Sequence, residues 1–396
     1  AFHRTQLGKP AQKTPWGKII TYLPTPEQSA YRFSYHEQGS PDKEPTSGHT
    51  LIMGRPGSGK SVLSAFLMAQ SRRAGSRIFV FDYRLGMEMA VRANGGRYAS
   101  LKAGQPTGLN PLWTETDARG TAWLSDWLAT LLYRADKPLT PAQTNRIQEV
   151  VRQNAQATNP GLRNWRDFAS LFVSTDDGGD LHQRLLEWTE EGRYGWIFGQ
   201  TLEDTFSLEG DVVGFDLTGI LDSEAEKERM AVLSYLFRRV EREIEDRRPT
   251  IIVLDEAWKL LDDPYFGARL ENWLVTLRKM NCVVIMMTQY PSQLRDSRVG
   301  KTIVETVPTQ ILFPNDRATI SDYGFLRVNA KEAALLVQPT IGQRIALVRS
   351  AGDSVFVDAD LSALGDLLPI LGGGATGEAR VPADWRANPD FWRHVI

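Results

Sequence analysis

Residues Gly54, Arg55, Pro56, Gly57, Ser58, Gly59, Lys60 and Ser61 meet the pattern G-x-x-x-x-G-K-[ST] in full. Glycines let the backbone wrap an anion, and successive amides at a helix N-terminus supply positive potential. Lys60 is spaced to reach the β- and γ-phosphates of a nucleotide, and the Ser61 hydroxyl to ligate magnesium. Further along, Asp255 and Glu256 close the apolar run from Ile251 to Leu254. The first acid of such a pair holds magnesium, usually through its water, and the second points elsewhere and can polarise an attacking water. Gln289 ends the next apolar run. A neutral amide beside a γ-phosphate can accept from the attacking water and donate to a phosphate oxygen, reporting which nucleotide is bound. Arg278 flanks the apolar stripe of the helix just upstream and could reach the nucleotide of a neighbouring subunit, spreading positive charge over the transition state. Arg317 is a second candidate for that role.

This chemistry needs the loop between a buried strand and a helix, with the acids at strand carboxyl ends. The stretch from His49 to Met53 reads as the strand and Val62 to Gln70 as the helix. Arg77 to Asp82 is a second strand, ending in an acid and spaced for a right-handed crossover. The pattern then changes. From about Trp113 to Gly199 the periodicity is helical, with Trp123, Trp127, Trp165, Trp188 and Trp196 and little strand signal. Thr140 with Pro141, and Asn164, mark helix starts. The tryptophans read as the core of this subdomain rather than as a platform for stacked bases. Strands resume at Asp211–Leu217, Thr250–Glu256, Val283–Gln289 and Gln310–Phe313, with a hairpin of Gln343–Arg349 and Ser354–Val357. Helices fall between them at Glu224–Arg247 and Arg269–Met280.

The prediction is an α/β protein with a mostly parallel sheet carrying an inserted all-α subdomain. Residues 1–47 form a β-rich lead-in with strands at Gly17–Tyr22 and Tyr31–Tyr35. Residues 48–112 and 200–371 form the nucleotide-binding domain, and 113–199 the helical insertion. Residues 372–396 are a flexible linker and an aromatic tail.

The 396 residues can bury a large core, and a net charge of −2 carries no electrostatic footprint of DNA wrapping. The single cysteine, Cys282, excludes an internal disulfide and suits a reducing compartment. It lies in an apolar run and reads as a small core residue. No run approaches the roughly 18 apolar residues of a membrane span. No signal peptide opens the chain, and a strand-like, aromatic start on Ala1 reads as a fragment of a longer protein.

The phosphate loop, the long helical insertion, a strand running into Leu254, Asp255, Glu256, Ala257 and Trp258, and a later strand ending Thr288-Gln289 together resemble the HerA–FtsK group of ring ATPases. Within that group, Gly108 to Leu112 (Gly-Leu-Asn-Pro-Leu), Gly195 to Phe198 and Leu277 to Lys279 are similar to the type IV secretion ATPases, the fourth-VirB-component, CagE and TrbE kind. The similarity runs from about Gly48 to Gln343. It implies a RecA-like P-loop ATPase core using ATP and Mg2+, working as a hexamer with other secretion-complex subunits on the cytoplasmic face of the bacterial inner membrane. It also implies Lys60 and Ser61 on phosphate and magnesium, Asp255 on the metal, Glu256 on the water, Gln289 as sensor and Arg278 in trans. Family chains carry a further amino-terminal half that contacts the membrane complex.

Three functions fit these features. The first is an ATPase energising pilus assembly and substrate translocation. The second is a DNA translocase akin to conjugative coupling proteins, which would need a basic central channel. The third is a nucleotide-binding scaffold with little turnover, which would have no need of the water-activating Glu256.

Overall fold

The computed structural model describes residues 6–8, 10–173, 177–200, 203–257, 259, 264–338, 344–350 and 353–395; Ala1, Trp258, Gln343 and Ile396 lie outside the described residues. Within them, the strands are β1 (Gln6–Leu7), β2 (Thr21–Pro24), β3 (Ala30–Phe33), β4 (Thr50–Met53), β5 (Arg77–Asp82), β6 (Arg97–Ser100), β7 (Val212–Asp216), β8 (Thr250–Leu254), β9 (Cys282–Thr288), β10 (Thr309–Leu312), β11 (Ile345–Ser350) and β12 (Asp353–Asp358). They form a small sheet ordered β1-β3-β2 and a large one ordered β12-β11-β10-β4-β9-β8-β5-β7-β6. The strands from β10 to β6 run parallel, while β11 and β12 fold back antiparallel.

A parallel sheet is covered on both faces, so its strands read as continuous apolar runs. That is the pattern here. Every residue of β4, β5, β7, β8, β9 and β10 is buried, whereas the outermost β6 and β12 are largely exposed or half-buried. The loop strand β4 sits between β10 and β9, with β8 next beyond β9. Motifs far apart in sequence are thereby carried on neighbouring strands.

The chain divides into two compact units, residues 1–100, 209–218 and 240–396, and residues 101–208 and 219–239. The first holds both sheets. Leu23, Tyr31 and Phe33 of the lead-in share one core with Ile52, Leu63, Leu67, Ile78, Val253 and Ile285, so the lead-in belongs to the same unit as the large sheet. Its strands sit one to four residues from their predicted places, because Gly17 and Gln28 adopt positive φ and set the turns.

The second unit is helical and larger than the predicted 113–199 insertion. Thr140 and Gln143 form a capping box with Pro141 in the first turn, and the Asn164 side chain accepts from the Asp167 amide. Trp127, Trp165 and Trp188 are buried, and the Trp165 ring stacks on Phe198 at 5.3 Å. Arg238 donates to both carboxylate oxygens of buried Glu115.

One expectation fails. The glycine-rich run at 372–377 is no flexible linker: Leu368–Gly372 and Gly374–Glu378 are helical. Beyond them Trp385 and Phe391 bury against Met89 and Ile370, and Arg386 donates to the buried Glu88 carboxylate. Burial of aromatic side chains holds what glycine composition alone would leave free.

Candidate active site

The loop after β4 turns at Gly57 and Gly59, with φ of 76° and 98°, a region that favours glycine. Gly59 stands at the N-terminus of the helix Lys60–Ser71, whose first amides have no partner within the helix. Gly54 is set by close approach. A Cβ there would lie 2.6 Å from the Phe313 Cβ and 2.7 Å from the Ser58 Oγ. Arg55 and Pro56 are exposed, and the Arg55 guanidinium pairs with Asp316 at 3.0 Å. The buried Lys60 ammonium donates to the carbonyl oxygens of Gly54 at 2.6 Å and Arg55 at 3.3 Å. Burial lowers its pKa, while Glu256 and Asp255 pull it back up.

That electrostatic link shows the two motifs converging. Asp255 leaves the end of β8 buried, and Glu256 follows at φ 47°, a left-handed backbone rare for a residue with a side chain. This turn separates the two acids, as adjacent residues with different tasks require. Burial raises the Asp255 pKa well above the carboxylate range, and the nearby Asp82 and Glu256 carboxyls raise it further. Gln289, just beyond β9, donates from Nε2 to the Glu256 Oε1 at 2.5 Å.

Lys60, Asp255, Glu256 and Gln289 are thus brought together at the carboxyl ends of β4, β8 and β9, the sheet edge where open α/β folds bind ligands. Arg278 is not among them. It is exposed in the turn Leu277–Met280 before β9, at the opposite end of the sheet, where its charge acts on His49. Arg317 is exposed beyond β10, next to the Asp316 that pairs with Arg55.

Two contributors are not evident from the motifs. Gln293 accepts at Oε1 from the Thr288 hydroxyl and the Gln289 and Tyr290 amides, at 3.0, 3.2 and 3.0 Å, fixing the strand end that carries Gln289. Its only sequence signal is a glutamine three residues after Tyr290 at a short helix start. Asp82, at the end of β5, stands beside Asp255; the acid is plain in sequence, but its neighbour is set by strand order.

A hard dication prefers hydroxyl and carboxylate oxygens. The Ser61 hydroxyl at the helix start and the buried Asp255 carboxyl, whose charge is disfavoured by its acidic neighbours, fit magnesium in donor type.

No family model matches the chain. Among curated proteins it is similar to the type IV secretion system protein VirB4 of Bartonella quintana, 32% identical over 401 residues, covering 100% of this chain and 49% of that protein. It is also similar to the type IV secretion system protein PtlC of Bordetella pertussis, 30% identical over 416 residues, covering 98% of this chain and 50% of that protein. The chain therefore spans about half the length of the curated relatives it matches. Among solved structures, VirB4 of Thermoanaerobacter pseudethanolicus matches with a TM-score of 0.63 at 19% identity, over 86% of this chain and 96% of that one. The plasmid coupling protein TrwB, solved in complex with ADP and Mg2+, matches with a TM-score of 0.52 at 16% identity, over 82% of this chain and 87% of that one. Those two likenesses speak for the fold, the RecA-like P-loop core. The curated relatives speak for descent: over nearly its whole length the chain is homologous to about half of the type IV secretion system proteins VirB4 and PtlC.

Proposed function

We propose that the chain hydrolyses ATP with Mg2+ and that the energy drives a type IV secretion machine in pilus assembly and substrate translocation. The observation that carries this reading is the meeting of Lys60 with Asp255 and Glu256, and of Glu256 with Gln289, at one sheet edge. Lys60 and the loop amides hold the phosphates, with Gly54, Arg55, Pro56, Gly57, Ser58 and Gly59 shaping the cradle. Ser61 and Asp255 hold the magnesium, which supplies charge neutralisation on the phosphates. Glu256 accepts the proton of the attacking water, and Gln289, already bonded to Glu256, orients that water. The Gln289–Glu256 hydrogen bond ties the sensing residue to the base.

Arg278 completes this site from a neighbouring copy. Its exposure at the far end of the sheet supports a role outside its own subunit. The working form is a homo-oligomer, a hexamer in the full-length protein, joined to other secretion subunits at the cytoplasmic face of the inner membrane. Membrane association is indirect; among the described residues no helix is long and apolar enough to cross a membrane. The fold shared with the coupling protein TrwB favours a second reading, DNA translocation.

Steady-state ATP hydrolysis against protein concentration, with and without DNA, tests both. The motor reading expects turnover to rise more than linearly with concentration and to vanish in Glu256→Gln and Arg278→Ala. Strong stimulation by DNA would move the assignment to a translocase. A flat, negligible rate unchanged by Glu256→Gln would leave a nucleotide-binding scaffold.

A further inference from the structure

Three neighbouring strands of the parallel sheet, β8, β5 and β7, end in or run into acids: Asp255, Asp82 and Asp216. The outer one on the β7 side is well supplied with donors. Asp216 accepts from the Ser100 hydroxyl at 2.8 Å and from the Thr218 amide and hydroxyl at 3.0 and 2.5 Å. Asp82, in the middle and 1% exposed, is not. Its Oδ2 accepts from the Tyr98 hydroxyl at 2.5 Å and the Met87 amide at 2.8 Å, while its buried Oδ1 meets no N–H or hydroxyl donor among the described residues. What stands beside it is the Asp255 carboxyl. A Cβ on Gly86 would lie 3.6 Å from the Asp82 Oδ1 and 3.4 Å from the Asp255 Oδ2, so both oxygens flank one point under that glycine.

Two buried carboxyls in hydrogen-bond reach of each other oppose folding unless a proton or a cation joins them. The turn that follows β5 reinforces the arrangement at a conformational cost. Arg84 and Leu85, neither a glycine, hold φ of 63° and 58° so that the Met87 amide returns to Asp82. We infer that Asp82 belongs to the divalent-cation site, its Oδ1 and the Asp255 carboxyl forming one anionic face for the cation that accompanies the nucleotide. Tyr98 acts as a positioning residue, holding Oδ2 so that Oδ1 faces Asp255. The inference rests on the nucleotide-hydrolysis reading above.

Asp82→Asn tests it, because an amide keeps the shape, can still accept from Tyr98 and Met87, and can donate to Asp255. Three quantities are read: thermal unfolding in EDTA, ADP binding in EDTA, and Mn2+ binding by electron paramagnetic resonance with ADP present. The variant should unfold no earlier than the wild type and bind metal-free ADP within about twofold of it, yet hold Mn2+ at least about tenfold more weakly. A purely structural aspartate would instead lose stability and leave Mn2+ affinity alone, and that result would overturn the inference. If the asparagine variant fails to fold, Tyr98→Phe decides: about threefold weaker Mn2+ binding with unchanged ADP binding supports the assignment, and unchanged Mn2+ binding overturns it. A wild-type chain that binds no ADP under any condition would sink the nucleotide reading itself, a result distinct from one that spares ADP and removes only the metal effect.

Discussion

The two ends of the parallel sheet bury polar groups in opposite ways. Where the strands begin, most buried polar groups are paired, the Arg77 Nε at the start of β5 being an exception. The His49 Nδ1 accepts from the Val284 amide at 3.0 Å, which leaves the hydrogen on Nε2 to donate to the Leu274 carbonyl at 3.1 Å. Thr309 donates to the Tyr35 carbonyl at 2.8 Å, the Tyr35 and Ser71 hydroxyls meet at 3.0 Å, and the Trp16 indole donates to Asn281 at 2.8 Å. Where the strands end, acids crowd one another and, among the described residues, the Asp82 Oδ1 and Ser58 Oγ meet no hydrogen-bond partner. On the proposed function, one end serves folding and the other binding. Paired polar groups specify register, whereas unpaired ones are tolerated where a ligand's charge completes them.

Substitutions separate these ends. The largest effect belongs to Glu256→Gln, which should cut ATP turnover by about a hundredfold to ten-thousandfold with the unfolding midpoint unchanged or raised, checked by steady-state assay and calorimetry. At the other end, His49→Ala should cost about 2–4 kcal/mol of stability, from two lost hydrogen bonds and a cavity, read by urea unfolding. Turnover per folded molecule should not change. If His49→Ala abolished turnover in fully folded protein, the division between the ends would fail.

Acid acts on the folding end through its two buried histidines. Burial lowers the pKa of His36 from 6.5 to about 3 and of His49 from 6.5 to about 4. Below pH 6.5 the unfolded chain takes up protons that the two folded-state histidines refuse, so their contribution to stability falls as pH falls through that window, while the raised Asp82 and Asp255 carboxyls act with the opposite sign. Each histidine contributes a slope of up to about 1.4 kcal/mol per pH unit. Replacing His49 by Gln should flatten the curve from pH 6 downward, as denaturant midpoints at several pH values would show. Smaller still is Gly54→Ala, where the Cβ must displace Phe313 or Ser58, at about 1–3 kcal/mol with weakened nucleotide binding. Arg278→Ala, exposed, should move stability by no more than about 0.5 kcal/mol.

Legibility in the sequence follows the same division. The loop from Gly54 to Ser61 and the strand running into Asp255 and Glu256 are readable because local chemistry and local backbone coincide there. Buried parallel strands read well for a related reason: nothing but apolar residues suits a strand covered on both faces. Strand order is not local. That Asp82 neighbours Asp255, and that Arg278 lies at the far end of the sheet, follow from β5 pairing β8 and from where the helix Pro264–Thr276 leads into β9. The tail is not legible locally, because Gly372 to Gly377 looks mobile in isolation, while Trp385 and Phe391 bury only once Met89 and Ile370 are in place. Gln293 was missed because an amide that accepts from three donors looks in sequence like any helix-start glutamine.

Equilibrium binding of ATP with Mg2+ to the wild-type chain, Lys60→Ala and Glu256→Gln tests the account most directly. The carboxyl-end site predicts that Lys60→Ala loses affinity on the order of a hundredfold while Glu256→Gln keeps it within about twofold. Equal, tight binding by the wild type and Lys60→Ala would place the nucleotide elsewhere and contradict the account.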